Sequence, residues 1–295
     1  MCLEDQCLSI ASLVDVASPW PRRVPAVDQL ASMLQVVILL ASLAVWGMIL
    51  ERLATGEPLV PRSVPATRPR PWFAMLLTVT LISISCYSQY HVSRNALPIR
   101  KFDADKILWF MASQIGEQIL FFCLLLVSLT RLGEQRLTRF GIDSRRWSEQ
   151  IEIGLFGCLA AMVPVVIANL TMLEFRVEDN QHVFLQIFKS ERSISLAGLL
   201  IVSAMIMAPL GEELMYRVIL QGTLQRYFSS TASIVISASL FSAVHGFPDA
   251  VGLFPLALIL GFLYWRTGSY WTVVTTHAAF NGVTVLLTLM SPEGK

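Results

Sequence analysis

Two adjacent carboxylates and an arginine, Glu212, Glu213 and Arg217, lie inside an otherwise apolar stretch of the chain. A charged side chain in a bilayer core costs about 2.5 kcal/mol or more, so such residues are rare and usually functional. Glu213 and Arg217 are four positions apart with the acid first, the favourable order for an ion pair along a helix. Glu212 points about 100° away around the helix and is left uncompensated. The alternative interpretation is a salt bridge at the membrane surface, with Glu212 at the interface.

An uncompensated carboxylate in an apolar environment can act as a general base near neutral pH. Two histidines and one asparagine are available nearby in the sequence. His245 lies at the end of one apolar run, and His277 and Asn281 share one helix face in the last run. Two carboxylates, two histidines and an amide in one apolar region predict a single intramembrane site.

The depth of these residues supports the same interpretation. At 1.5 Å per residue, Glu212, His245 and His277 reach one level if the hairpin around residues 227–231 protrudes from the membrane by about two helical turns. If that turn were level with the membrane surface, His245 would lie near the opposite face. The site hypothesis therefore predicts a protruding hairpin.

The elements that must position these residues are membrane-spanning helices. Of the 295 residues, 55% are hydrophobic and 15% are charged, and the mean hydropathy is +0.61. The apolar residues form long runs without the two-residue alternation of a β-barrel, which predicts an all-α, polytopic transmembrane helical bundle. We expect about eight spans, with seven open because the sixth and seventh are short: 30–50, 72–90, 107–129, 153–173, one starting near 194, 231–246, 251–265 and 271–290.

The chain divides into three predicted regions. Residues 1–29 form a polar N-terminal segment, 30–193 hold N-terminal transmembrane helices and loops, and 194–295 form the catalytic transmembrane core. We expect an integral, multi-pass protein of the cell membrane, with the lipid bilayer as a partner. Basic residues divide almost equally between the two sides, which leaves the orientation open. The net charge of +1 gives no sign of a nucleic-acid partner, and none is expected; the oligomeric state is open.

One further acid, Glu117, lies inside the third predicted span with Gln114 and Gln118 on roughly the same face. Structural hydrogen bonding across helices is the first interpretation, and a place in the same cavity is the second.

Three motifs in this order, Glu-Glu-x-x-x-Arg, Phe-x-x-x-His and His-x-x-x-Asn, resemble the CPBP family. That family includes CAAX prenyl endopeptidases and the bacteriocin-processing or immunity proteins called Abi. Here they are Glu212, Glu213 and Arg217, then Phe241 and His245, then His277 and Asn281. The resemblance covers about residues 205–289. It departs from the family at Val218, where many members have glycine.

The resemblance implies intramembrane cleavage of a peptide or protein substrate, in the CAAX case a prenylated one. It implies that Glu212 activates water together with His245, that Glu213 and Arg217 support Glu212, and that His277 and Asn281 stabilise the oxyanion. Metal use is left open. Glu212, His245 and His277 could hold a zinc ion as in a metalloprotease, but asparagine is a poor zinc ligand and the chain has no His-Glu-x-x-His. Glutamate-activated water is therefore the first interpretation and a zinc ion the second.

Two other functions remain as alternatives. A catalytically silent membrane scaffold or bacteriocin-immunity protein of the same fold would not need to keep costly buried charges. A transporter using the same residues as a proton relay predicts a repeated half with matching broken helices, and the sequence has no such repeat.

Overall fold

A computed structural model describes residues 25–61, 75–84, 87, 104–131, 137–175 and 194–290. Within these ranges every regular element is helical, which confirms the all-α prediction. The eight helices are α1 (Pro25–Thr55), α2 (Met75–Ile84), α3 (Ala104–Arg131), α4 (Trp147–Thr171), α5 (194–224), α6 (Ser230–Ala243), α7 (Asp249–Thr267) and α8 (Tyr270–Met290). Short 3-10 turns occupy Leu137–Phe140 and Leu173–Phe175.

Six of these helices are long and apolar enough to cross a membrane: α1, α3, α4, α5, α7 and α8. The chain is therefore an integral, multi-pass membrane protein. The predicted seventh span is longer than expected, since α7 has 19 residues. The predicted sixth span corresponds to α6, which has 14 residues and is about 21 Å long, too short for a hydrocarbon core of about 30 Å. The second predicted span is described only in part, through α2.

Helix α4 lies in the middle of the bundle and packs against α1, α7 and α8. Two glycines let α4 approach α8 closely. A Cβ atom at Gly154 would lie 2.7 Å from Cβ of Thr275, and one at Gly157 would lie 2.8 Å from Oγ1 of Thr276. The Thr276 hydroxyl donates to the carbonyl of Gly154 at 2.9 Å. Small residues at such contacts are typical of membrane helix pairs, and this contact fixes the helix that carries His277.

The start of α8 is held by a tight turn against the chain before α4. Helix α7 ends at Gly268, whose φ of +59° is left-handed and favours glycine. Gly141, at φ +79°, lies directly against the carbonyl of Gly268 with no room for a side chain. The carbonyl of Gly141 then accepts a hydrogen bond from the backbone N–H of Tyr270 at 3.0 Å. The first residue of α8 is thereby fixed in position.

The three predicted regions stay a prediction. Of the predicted N-terminal segment 1–29, residues 1–24 lie outside the described residues, and residues 25–29 are the start of α1. The core region begins where α5 begins, at residue 194.

Candidate active site

Helix α5 carries the acidic motif between two π-helical segments. These are Val202–Met207 and Leu214–Gln221, and the α-helical segment between them is Ala208–Glu213. Single π turns occur frequently at functional sites because they re-aim side chains. Glu212 and Glu213 are therefore presented by a short α-helical segment whose two ends both have altered helical register.

The first π segment follows from a proline three residues before Glu212. The N–H of Ala208 bonds to the carbonyl of Ser203, five residues back. The next bond of this kind would join residue 209 to the carbonyl of Ala204, but Pro209 has no N–H. The side-chain amide of Asn281 instead donates to the Ala204 carbonyl at 2.7 Å. Asn281 thus satisfies the backbone acceptor that Pro209 leaves open.

This pairing predicts a coupling between the two residues. Asn281→Ala alone should cost about 1–3 kcal/mol, because a partly buried carbonyl loses its donor. In a Pro209→Ala background the restored N–H can bond to Ala204, and Asn281→Ala should then cost less than about 1 kcal/mol. Thermal unfolding of the four proteins in detergent measures the coupling, and equal costs of Asn281→Ala in the two backgrounds would contradict it.

Glu213 is the centre of a fully buried polar network. Its side chain and that of Arg217 are both 0% exposed, and Nε of Arg217 donates to Oε2 of Glu213 at 3.0 Å. The predicted ion pair is therefore confirmed. The other carboxylate oxygen, Oε1, lies 2.8 Å from Nδ1 of His277. This second contact, between α5 and α8, was not predicted from the sequence.

The contact with Glu213 fixes the state of the His277 ring. Because Glu213 pairs with the cation Arg217, its Oε1 atom is assigned as the acceptor and Nδ1 of His277 as the donor of their bond. In the neutral ring, Nε2 is then an acceptor. Nε2 lies 3.9 Å from Oε2 of Glu212, a separation too long for a direct hydrogen bond. Glu213 therefore orients His277, and His277 faces Glu212.

Glu212 is the more open of the two carboxylates. Its side chain is 29% exposed, yet its Oε2 atom is buried and has no hydrogen-bond partner among the described residues. If a water lay about 2.8 Å from both Oε2 of Glu212 and Nε2 of His277, the angle between these two atoms at the water oxygen would be about 90°. That is close enough to the H–O–H angle for the water to donate to both. Within the described residues, Glu212 has no Lys or Arg partner, and His277 at 3.9 Å is the group that its Oε2 atom faces.

Phe241 packs the remaining motif residues together. Its ring lies 4.8 Å from the Cζ atom of Arg217, 4.9 Å from the ring of His245 and 5.7 Å from the ring of His277. His245 is partly buried, and its Nδ1 donates to the carbonyl of Phe241 at 2.8 Å. Within the described residues, His245 lies outside ion-pair distance of Glu212, so it reaches the site through Phe241 and not by a direct contact with that carboxylate.

The structure thus brings together all six predicted residues, though in different ways. Glu212, Glu213, Arg217 and His277 form one connected group, His245 adjoins it across Phe241, and Asn281 contacts α5 at Ala204. Direct contacts therefore join four of the six, and the catalytic roles of all six stay predictions.

Two supporting side chains were missed by the sequence reasoning. The Tyr270 hydroxyl, on a buried residue, donates to the carbonyl of Leu210 at 2.7 Å, two residues before Glu212. Ser237 accepts from Nη1 of Arg217 at 3.4 Å and donates to the carbonyl of Tyr216 at 2.9 Å. Both residues could have been found from the sequence. A buried tyrosine needs a partner for its hydroxyl, which indicates a role for Tyr270. Ser237 lies four residues before Phe241 and therefore on the same helix face as that motif residue.

A metal ion does not fit this donor set as it is arranged. Across the described part of the chain, no three His, Cys, Asp or Glu side chains lie together as a metal site requires. Nδ1 of His277 is bonded to Glu213 and Nδ1 of His245 to a carbonyl. Of the predicted zinc ligands, only Glu212 and His277 face each other. The zinc hypothesis stays untested, and no chemistry is derived through a metal.

Glu117 lies outside this group. It is exposed on α3, and Nε2 of Gln114 donates to it at 3.5 Å. Its neighbour Gln118 accepts a hydrogen bond from Ser203 of α5 at 3.2 Å. A hydrogen bond across helices is therefore present at Gln118, while the one that Glu117 makes to Gln114 lies within α3.

The same part of the chain matches a known family. Residues 194–283 match the model of the family described as Rce1-like, type II CAAX prenyl endopeptidase Rce1-like. No curated protein and no solved structure matched the chain. The matched range begins with α5 and ends within α8, so it contains every residue of the predicted site. The motifs and this match show that residues 194–283 are similar to the CAAX prenyl endopeptidases of the Rce1-like family.

Proposed function

We propose that the protein is a CAAX-type intramembrane endopeptidase in which Glu212 activates a water for attack on a peptide bond. The observation that carries the proposal is the buried, unpartnered Oε2 of Glu212 facing Nε2 of His277 at 3.9 Å. A general base must lie within hydrogen-bonding reach of the proton that it removes. A water between these two atoms meets that requirement for Glu212.

The proposed reaction has two steps. The water oxygen attacks the carbonyl carbon of the scissile bond while one of its protons passes to Glu212. The resulting tetrahedral oxyanion then collapses, the C–N bond breaks, and Glu212 returns the proton to the leaving nitrogen. The products are a new carboxylic acid and a new amine, and transfer of the acid's proton to the amine gives a carboxylate and an ammonium group. His277 holds the water by its Nε2 atom, and Glu213 keeps His277 in the orientation for this.

Asn281 is the proposed donor to the oxyanion. Its amide has two N–H groups, and one of them is used by the carbonyl of Ala204. The second can serve the developing charge, a contribution that strengthens in the water-poor interior. His245, whose Nδ1 donates to Phe241, keeps Nε2 for substrate or water at the edge of the site.

The proposed substrate is a membrane-associated chain, prenylated in the manner of CAAX proteins. The family description supports this substrate class. The proposed location is the cell membrane. The partial exposure of the Glu212 side chain leaves a way for such a chain to reach the site.

Membrane proteomics tests the function and identifies the substrate in the same experiment. Membranes from cells with wild-type protein and with Glu212→Ala are compared for chains that accumulate uncleaved. An endopeptidase predicts accumulated precursors with intact C-terminal ends in the variant. If the two membranes are identical at equal protein levels, the chain is a catalytically silent scaffold and the proposal is wrong. Elemental analysis of the purified protein tests the zinc hypothesis, and activity without bound metal is expected.

A further inference from the structure

A cavity lies away from the acidic motif, among residues of α1, α4 and α7. It has a volume of about 560 Å³ and lies between α1, α4 and α7, within the usual range for a ligand pocket. It contains none of the six site residues. Two of its three helices, α1 and α4, lie outside the family-matched range. The following inference therefore does not rest on the proposed function.

The cavity is a slot parallel to the helices. Its wall on α4 runs from Glu149 to Ala160 along one face of that helix, through Ile153 and Phe156. Eleven steps of 1.5 Å separate these two residues, which makes the slot about 16 Å deep. Half of a hydrocarbon core of about 30 Å is close to this depth. The slot therefore spans about one leaflet of the bilayer.

The charged residues of the slot are all at one end. Arg52 lies in the last turn of α1, and Glu149 lies in the first turn of α4 with Glu152 one turn further. A loop closes over this end. Arg52 donates to the carbonyl of Pro58 in this loop at 3.2 Å. Arg266, in the last turn of α7, donates to the carbonyl of Val60 at 2.6 Å.

The rest of the wall is apolar. Deeper in the slot the lining residues include Val45 of α1, Phe156 and Ala160 of α4, and Leu258 and Phe262 of α7. Such a slot fits a molecule with one polar end at the membrane surface and a hydrocarbon chain one leaflet long. A membrane phospholipid is that molecule.

From this geometry we propose that the slot binds one phospholipid with an ammonium headgroup, phosphatidylethanolamine, by one acyl chain. The phosphate contacts the guanidinium of Arg52, which matches phosphate geometry well. The ammonium contacts the exposed carboxylate of Glu152, with Glu149 beside it. Glu149 is already paired with Arg146 at 3.4 Å, so Glu152 is the carboxylate that the ammonium would contact. An anionic headgroup without an amine would place its negative charge beside Glu152 with no ammonium to offset it.

Native mass spectrometry of the delipidated, full-length protein in detergent, titrated with phosphatidylethanolamine, tests the proposal. Wild-type protein should retain one lipid per chain. Ala160→Phe fills the slot and should weaken retention at least about tenfold. Ala44→Phe is the matched control, since Ala44 is exposed on α1 outside the slot, and it should bind as wild type. Equal retention by Ala160→Phe and Ala44→Phe overturns the proposal.

A second variant keeps the test valid if Ala160→Phe does not fold. Glu152 is exposed, so Glu152→Gln should leave the fold unchanged. It should weaken the binding of phosphatidylethanolamine several-fold and leave the binding of phosphatidylglycerol no weaker than in wild type. Tighter binding of phosphatidylglycerol than phosphatidylethanolamine by wild type overturns the headgroup assignment. Displacement of the lipid one-for-one by a prenylated peptide overturns the assignment of the slot to a lipid.

Discussion

Replacing Arg217 by alanine is expected to destabilise the protein by about 3–5 kcal/mol and to abolish cleavage. The reason for the instability is that Glu213 would remain as an uncompensated charge with a fully buried side chain. Cleavage should be lost because Arg217 holds the Oε2 atom of Glu213, and without it the carboxylate that orients His277 is no longer fixed in position. Thermal unfolding in detergent and a cleavage assay on the same preparations measure the two effects.

Two companion variants separate stability from chemistry. Ser237→Ala removes the 3.4 Å contact to Arg217 and the 2.9 Å hydrogen bond to the carbonyl of Tyr216, but leaves the ion pair in place. It should cost about 1–2 kcal/mol. The double variant Glu213→Leu with Arg217→Met replaces the ion pair by apolar groups and should recover much of the stability. It should remain inactive, because His277 has lost its acceptor. An Arg217→Ala protein as stable as Ser237→Ala would show that the ion pair is not required.

The parts of this site that depend on local geometry were predictable from the sequence. Glu213 and Arg217 are four residues apart on one helix, and any helical backbone places them in contact. The i, i+4 spacing of His277 and Asn281 likewise put both on the face of α8 that meets α5. The hydrophobic runs located the helices, because length and apolar composition suffice for that.

The parts that depend on packing between helices were not predictable. The bond between His277 and Glu213 depends on the exact approach of α8 to α5, and the sequence reasoning directed His277 to Glu212 instead. Pro209 was visible as a residue without an N–H, but nothing in the sequence says which side chain would bond to the carbonyl that it frees. The depth argument placed Glu212 and His277 at one level, in agreement with their 3.9 Å separation. The protruding hairpin stays a prediction.

Replacing Glu212 by glutamine is expected to lower the cleavage rate by about 10²–10⁴-fold, the usual contribution of a general base. Glutamine has nearly the shape of glutamate but cannot accept the proton of the water. Stability should change little, because the Oε2 atom of Glu212 has no hydrogen-bond partner in the described chain and the side chain is partly exposed. Glu117→Gln is the matched control. It removes another intramembrane carboxylate, outside the site, and should leave the rate unchanged.

The most direct test is the cleavage rate of the purified protein in lipid vesicles, on a chain that accumulates in Glu212→Ala membranes. Wild type, Glu212→Gln and Glu117→Gln are compared by mass analysis of the products, with unfolding temperatures measured alongside. The expected result is cleavage by wild type and Glu117→Gln, and loss of at least about a hundredfold in a stably folded Glu212→Gln. Cleavage by Glu212→Gln at the wild-type rate would contradict the assignment of Glu212 as the base that activates water.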